Sequence, residues 1–250
     1  MKKYHLLLSF AFLLLLVSCK KKDSEAKDNP TPISLDCYLS KYYINDAKEY
    51  NCYYDSQNRL IKISSYSEGK GDSSYVFYTH SGNLITKTSK NGIKDLVETY
   101  YLNSNGFADS LVSVFDSLNS YTYYWKYNEA NQAIELKVIG GVAQNMVDII
   151  ERNEYTNGNK TRQTSINNET ATTVILDFEY YLDKPNKAKA FEESTYHLNS
   201  NTNLLKKSTT DAGSITNITY EFDQEGNVSK MIMVSDKNEE TWNKYIWSCK

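Results

Sequence analysis

One short pattern recurs along most of this chain, about every 25 residues. Each unit has an aromatic strand end, a turn rich in Asp, Asn, Ser and Gly, and a second strand, as in YNCYYDSQNRLIKI at 50–63. Self-similarity at a fixed period constrains a fold more strongly than any single element. The period here matches one β-hairpin. Eight candidate units cover 50–63, 75–88, 99–114, 123–138, 154–166, 178–191, 195–208 and 218–234.

Residue alternation inside the units predicts β-strands. Tyr123, Trp125 and Tyr127 share one side of an extended segment, whereas Thr122 and Lys126 share the other. A period of two is the signal of a strand, and no segment shows the i, i+3, i+4, i+7 apolar stripe of an amphipathic helix. The 22 tyrosines also favour sheet, because aromatic side chains suit a pleated, half-buried surface. We therefore expect almost no helix after residue 19.

Turn residues separate these strands at short intervals. Asn105-Gly106 and Asn157-Gly158 tolerate the positive φ that tight antiparallel turns require. The sequence thus predicts an all-β fold, a single antiparallel up-and-down meander of about 16 short strands. Twist accumulates in so large a sheet, so we expect it to curl or close into a barrel. A two-layer sandwich and a propeller of about four blades are the alternatives.

The predicted strand length argues against a barrel that spans the membrane. The patterned segments run for about 5 to 8 residues, and a transmembrane strand needs roughly 9 to 11. We therefore expect the strands of this domain to lie outside the membrane.

The N-terminus predicts export followed by lipidation. Lys2 and Lys3 precede an apolar run at 6–17 that is too short to span a bilayer. The run ends in LVSC at 16–19, which resembles the bacterial lipobox. This resemblance implies a signal peptide over 1–18, acylation of Cys19, and membrane attachment through its acyl chains. Residues 19–36 then form the lipidated cysteine with a flexible tether, and 37–250 form the β-repeat domain.

The repeat itself resembles two known families. Tyr53-Tyr54-Asp55, with 58–60 reading NRL, is similar to the Y-x-Y-D-x-x-G-R-L repeat of Rhs-type shell proteins. Together with the lipobox and tether, the eight degenerate units resemble a Bacteroidota lipoprotein domain of unknown function with a porin-like fold. That resemblance implies a curled sheet in the cell envelope and brings no activity with it. The basic-then-acidic order after Cys19 is similar to lipoprotein export signals, so we expect an outer-membrane protein, with the cell surface favoured over the periplasmic face.

Charge excludes one class of partner. Removal of 1–18 takes away two lysines and no acids, which changes the formal net charge from −3 to −5. Nucleic-acid binding needs a clustered basic face that displaces phosphate counterions. We therefore expect no nucleic-acid partner.

Three cysteines remain after lipidation of Cys19. Cys37 lies near the start of the first predicted strand and Cys249 is one residue from the end of the chain. If the first and last strands meet, a Cys37–Cys249 disulfide would join the ends of the domain. The alternatives are a Cys37–Cys52 bridge within the first hairpin, or no bridge. A disulfide closing the long loop would contribute on the order of 5 kcal/mol in the chain-entropy model.

The sequence carries no recognisable catalytic or metal-binding motif. Adjacent acids such as Glu192-Glu193 point to opposite faces of a strand, which does not suit an acid–base pair. We therefore expect no enzyme activity, no cofactor and no metal site.

Aromatic density is the feature with functional potential, because Tyr and Trp combine an apolar face with a hydrogen-bonding edge. Such residues either stack on sugar rings or fill the interior of the sheet. We predict a non-enzymatic binding or interaction module for a glycan or another envelope protein; the alternative is a structural spacer of the shell type without a small-molecule site. The candidate ligand-binding residues are Tyr123, Trp125, Tyr127, Trp242 and Trp247.

Overall fold

The structure, a computed structural model, describes residues 37–67, 74–90, 95–116, 119–142, 145–187 and 201–249. These residues belong to one compact unit that begins at Asp36. The predicted signal peptide, Cys19 and the tether lie outside the described residues.

Sixteen antiparallel strands form one closed barrel. Each strand pairs with its sequence neighbours, and β1 pairs with β16 to close the wall. The predicted all-β meander of about 16 strands is confirmed, and the sheet closes. The strands are β1 (Cys37–Ile44), β2 (Lys48–Tyr54), β3 (Leu60–Ser67), β4 (Ser74–Ser81), β5 (Leu84–Lys90), β6 (Asp95–Leu102), β7 (Ala108–Asp116), β8 (Asn119–Tyr127), β9 (Ala133–Val142), β10 (Asn145–Thr156), β11 (Asn159–Asn167), β12 (Thr172–Pro185), β13 (Asn203–Thr210), β14 (Ile215–Phe222), β15 (Val228–Ser235) and β16 (Glu240–Cys249).

One prediction about the repeat, the strand length, is wrong. The strands span 7 to 14 residues rather than about 5 to 8, because backbone pairing continues past the segments in which side chains alternate clearly. The units at 178–191 and 195–208 include residues outside the described part of the chain, so their division into two hairpins stays a prediction. Among the described strands, β12 pairs directly with β13. β16 pairs with β1, although the two strands lie at opposite ends of the sequence.

The recurring turn residues build one loop type, found among the described residues at 210–214 and 235–239 at one end of the barrel and in four copies at the other. The end with four copies, at which β1 begins and β16 finishes, is called here the terminal end. In the loop 55–59, the backbone N–H of Asp55 donates to the carbonyl of Arg59 (3.0 Å). The Asp55 carboxylate accepts the N–H groups of Gln57 and Arg59, both at 2.9 Å. The fourth residue, Asn58, has a φ of 59°, which Asn and Gly tolerate best. Corresponding loops occur at 103–107, 128–132 and 223–227.

A register shift accompanies most of these turns. In six hairpins the shift lies towards the terminal end, as between Lys126 and Tyr127 at the end of β8. A bulge leaves backbone groups outside the regular ladder, and those groups need other partners. The six shifts lie at Tyr53/Tyr54, Tyr101/Leu102, Lys126/Tyr127, Glu154/Tyr155, Glu179/Tyr180 and Glu221/Phe222.

Side chains on the even-numbered strands supply these partners. Near the terminal end, a side chain of one strand donates to a backbone carbonyl of the preceding strand and so joins consecutive hairpins. The recurring tyrosine before the turn is therefore a structural connector. The pairs are Tyr54 Oη to Leu39 O (2.9 Å), His80 Nε2 to Leu60 O (3.0 Å), Tyr127 Oη to Ala108 O (2.7 Å), Tyr155 Oη to Ala133 O (3.1 Å), Tyr180 Oη to Lys160 O (2.7 Å) and Trp247 Nε1 to Val228 O (2.7 Å).

Two packed clusters occupy part of the interior. The first joins Leu39, Cys52 and Leu60 on β1 to β3. The second lies on β5 to β9 and contains Ile85, Tyr100, Ala108, Leu111, Trp125 and Ala133. Burial of these apolar side chains inside a closed wall supplies the main driving force for folding.

Candidate functional site

The five predicted ligand-binding residues do not form one site. Strand alternation and register direct Tyr123, Trp125, Tyr127 and Trp247 into the barrel, whereas Trp242 lies on the outer wall. Trp242 and Trp247 are an odd number of residues apart on one strand, so they occupy opposite faces.

Three of the predicted residues belong to the packed interior. The Tyr123 and Trp125 rings stack with centroids 6.0 Å apart, and Trp125 is buried. The Tyr127 hydroxyl donates to the carbonyl of Ala108 at 2.7 Å, and burial raises the pKa of Tyr127 far above its ordinary value. These contacts support the core interpretation of the three residues.

Trp247 borders an interior cavity of about 350 Å³, called here the lumen cavity. Its indole N–H donates to the carbonyl of Val228 at 2.7 Å, which fixes the ring against the wall. Aliphatic side chains and methionines make up most of the lining. The described lining residues are Leu39, Asn186, Asn201, Asn203, Leu204, Leu205, Ile218, Tyr220, Val228, Met231, Met233, Tyr245 and Trp247.

Trp242 lies in a shallow groove of about 300 Å³ on the outer wall. Lys230 and Lys244 are directly opposite each other in register, and Glu221 and Asp46 also line the groove. The Lys230 Nζ lies 5.0 Å from the centroid of the Trp242 ring and 3.9 Å from Glu221 Oε1. The Trp242 ring thus already makes a cation–π contact with Lys230.

A pair of outward tyrosines was missed by the sequence reasoning. Tyr101 and Tyr124 both pair with Ser110 on the strand between them. They remain 43% and 48% exposed. Since adjacent strands are about 4.8 Å apart, the two tyrosines rise roughly 9 to 10 Å apart over a small residue. The available signal was the doublets at 100–101 and 123–124, in which alternation turns one tyrosine inward and the other outward.

Charged groups inside the barrel are paired with neighbours on the wall. Lys87 Nζ lies 2.5 Å from Glu98 Oε2, between β5 and β6. Lys160 Nζ donates to Gln163 Oε1 at 2.9 Å, and burial lowers the pKa of Lys160. In the part of the chain that the structure describes, no group of three or more His, Cys, Asp or Glu side chains is placed to hold a metal ion.

The cysteines are distinguished by their positions. Cys37 is disulfide-bonded, and Cys52 is a free, buried thiol. The alternative Cys37–Cys52 bridge is therefore wrong. Cys37 and Cys249 are direct register partners at the seam between β1 and β16. The Cys37–Cys249 pairing stays a prediction.

The fold is shared with solved proteins. The chain is similar to a porin-like protein from Bacteroides uniformis, with 15% identity and a TM-score of 0.59 over 84% of this chain and 96% of that one. It is also similar to a porin-like protein from Bacteroides vulgatus, with 11% identity and a TM-score of 0.60 over 84% and 98% of the two chains. No protein-family model and no curated protein sequence matches it.

These two likenesses establish a porin-like barrel fold, as the resemblance of the repeat implied. They do not assign an activity, because fold and function are separable. Among the described residues, none forms a helix with the length and apolar character needed to cross a membrane.

Proposed function

We propose that this chain is a non-enzymatic binding module of the cell envelope, a barrel that stands in water and is held to the outer membrane by lipid on Cys19. The observation that supports a water-facing barrel is the charge on its outer wall. Ion pairs join neighbouring strands on several sides of the barrel. They are Lys41–Glu49, Lys126–Glu135, Arg152–Glu135, Arg162–Asp177, Lys207–Glu179 and Lys230–Glu221.

An outer wall of this kind is unsuited to lipid. A lysine or arginine facing the middle of the bilayer costs about 2 to 4 kcal/mol, and ion-paired residues of this kind occur on six of the described strands. In the described part of the wall, these exterior basic residues lie on β1, β8, β10, β11, β13 and β15. The outer wall therefore suits water, which makes a lipid anchor the more suitable attachment.

Metabolic labelling tests the anchor. We expect the native chain to incorporate labelled palmitate and to fractionate with outer membranes, and the Cys19→Ala variant to lose the label. A chain beginning at Asp36 contains all sixteen strands and should stay soluble without detergent. Aggregation of this chain unless detergent is present would contradict the water-facing barrel. Protease treatment of intact cells separates the favoured surface location from the periplasmic one.

The exposed pair Tyr101 and Tyr124 is the proposed glycan-binding feature. Two aromatic planes roughly 9 to 10 Å apart leave room for one sugar ring between them. Tyrosine supplies both the apolar face that sugars stack on and a hydroxyl for hydrogen bonding. Ser110 beneath them keeps the space open because its side chain is small.

A glycan array with envelope polysaccharides tests this feature. We expect Tyr101→Ala and Tyr124→Ala each to reduce binding at least tenfold. Tyr66→Ala is the matched control, because Tyr66 is also an exposed tyrosine and is 50% exposed on β3. Equal losses in all three variants, or no binding to any glycan at high protein density, would contradict the proposal. If no glycan binds, capture of an envelope protein would favour a binding module for a protein partner.

A further inference from the structure

The lumen cavity is not used by the proposed glycan site. Leu204, Ile218 and Val228 are buried on β13 to β15, yet they belong to neither packed cluster. All three line the lumen cavity of about 350 Å³. Protein interiors contain few voids larger than a water molecule. A cavity of this size beside two well-packed clusters therefore indicates a place for a ligand.

We propose that the lumen cavity binds one unbranched alkyl chain that carries a small uncharged polar group. This inference goes beyond the proposed function and does not depend on glycan binding or on the anchor. Its volume lies at the lower end of the range for small-molecule pockets, about 300 to 1,000 Å³. The volume suits one chain rather than a lipid with several chains.

The lining determines the class of ligand. Leucine, isoleucine, valine and methionine side chains offer no hydrogen bonds, so they favour an apolar body. Met231 and Met233 are unbranched and flexible, and such side chains adapt to a flexible chain. Among the described residues that line the cavity, none is Asp, Glu, Lys, Arg or His. A charged ligand group inside it would lack a counter-ion, which is costly.

One edge of the cavity is polar and held in place by hydrogen bonds. Asn201 Oδ1 accepts the backbone N–H of Lys160 at 2.7 Å. Asn203 Oδ1 accepts from Asn159 Nδ2, while the Asn203 backbone N–H donates to Asn159 Oδ1, both at 2.9 Å. Asn186 lines the same edge. Amides fixed in this way suit a hydroxyl or another neutral polar group at the end of the chain.

Methionine-methyl NMR tests the proposal on the chain that begins at Asp36 and contains the complete barrel. Met231 and Met233 line the cavity, and Met146 is 57% exposed on β10. With n-decanol as probe, we expect saturable chemical-shift changes at the two cavity methyls and none at Met146. No change at the cavity methyls up to the solubility limit of n-decanol, or equal changes at all three, would overturn the proposal. Tighter binding of naphthalene than of n-decanol would overturn the alkyl-chain class.

A filling variant gives an independent readout. Met231→Trp should reduce n-decanol affinity at least tenfold, whereas Met146→Trp should leave it unchanged. Unchanged affinity in a folded Met231→Trp protein would overturn the assignment. If that variant does not fold, Met231→Ala enlarges the cavity and should raise the affinity for n-dodecanol relative to n-decanol. An unaltered ratio would then count against the site.

Discussion

Removal of one hydroxyl tests whether the recurring tyrosine connects consecutive hairpins. In the Tyr127→Phe variant, the carbonyl of Ala108 loses the donor that lies 2.7 Å away. Ala108 is 0% exposed, so water cannot easily replace that donor. An unsatisfied buried polar group costs about 1 to 3 kcal/mol. We therefore expect the free energy of unfolding to fall by that amount, with a melting temperature lower by roughly 2 to 12 °C.

The structure also predicts how the effect varies along the repeat. The carbonyl of Ala133 accepts both Tyr155 Oη at 3.1 Å and Asn153 Nδ2 at 2.8 Å. Because Asn153 remains, Tyr155→Phe should cost less than Tyr127→Phe, under about 1 kcal/mol. Tyr124→Phe is the control, since Tyr124 is exposed on the same strand as Tyr127, and it should stay within about 0.5 kcal/mol.

Urea unfolding followed by circular dichroism measures these differences, provided that the m-value is unchanged between variants. Equal stabilities of Tyr127→Phe and Tyr124→Phe would refute the connecting role. A larger loss for Tyr155→Phe than for Tyr127→Phe would refute the account of the shared carbonyl.

Three further predictions concern backbone, thiol and pH. Gly140→Ala should destabilise the barrel by roughly 2 to 6 kcal/mol, because the new Cβ would meet backbone atoms of β8 and the residue would keep a φ of 139°. Gly213→Ala is the control, since a Cβ there meets open space at a φ of 87°, and it should cost about 1 to 2 kcal/mol. Equal melting temperatures of the two variants would contradict the steric argument. Burial raises the pKa of Cys52 to about 12, so Ellman's reagent should react with it only after unfolding; rapid reaction of the native chain would argue otherwise. Burial also raises the pKa of Tyr155 from 10.0 to about 12. The stability that the neutral Tyr155 side chain contributes is therefore fully present below pH 10 and is lost as the pH rises from 10 towards 12. Urea midpoints should fall over that interval, less so in Tyr155→Phe, and a flat profile would contradict the reasoning.

The strands and turns could be predicted because they depend on local patterns. Alternation around Trp125 and the turn residues at 105–106 both act over a few residues. Closure of the barrel could not be derived in the same way, because it depends on backbone pairing between β1 and β16. These strands contain Cys37 and Cys249 and lie at opposite ends of the sequence. Twist alone allowed a barrel, a sandwich or a propeller.

The candidate sites were harder to predict than the fold. Tyrosines occur on both faces of the wall, as Tyr53 outside and Tyr54 inside show, so aromatic content does not indicate which face binds a ligand. Sequence parity alone is enough to separate Trp242 from Trp247. The lumen cavity depends on side chains of β13 to β16 and β1 meeting across the interior, and no local pattern describes such a meeting.

Because β1 and β16 are neighbours, the two ends of the barrel domain lie side by side at the terminal end. The strands thus form a closed ring, and the position of the chain ends in the sequence, not the pairing of the strands, determines which strand is first and which is last. Joining the natural ends with a short linker and opening the chain between β3 and β4 should give a circular permutant with the same wall. Evolution could equally have introduced new chain ends at another hairpin junction without altering which strands are adjacent.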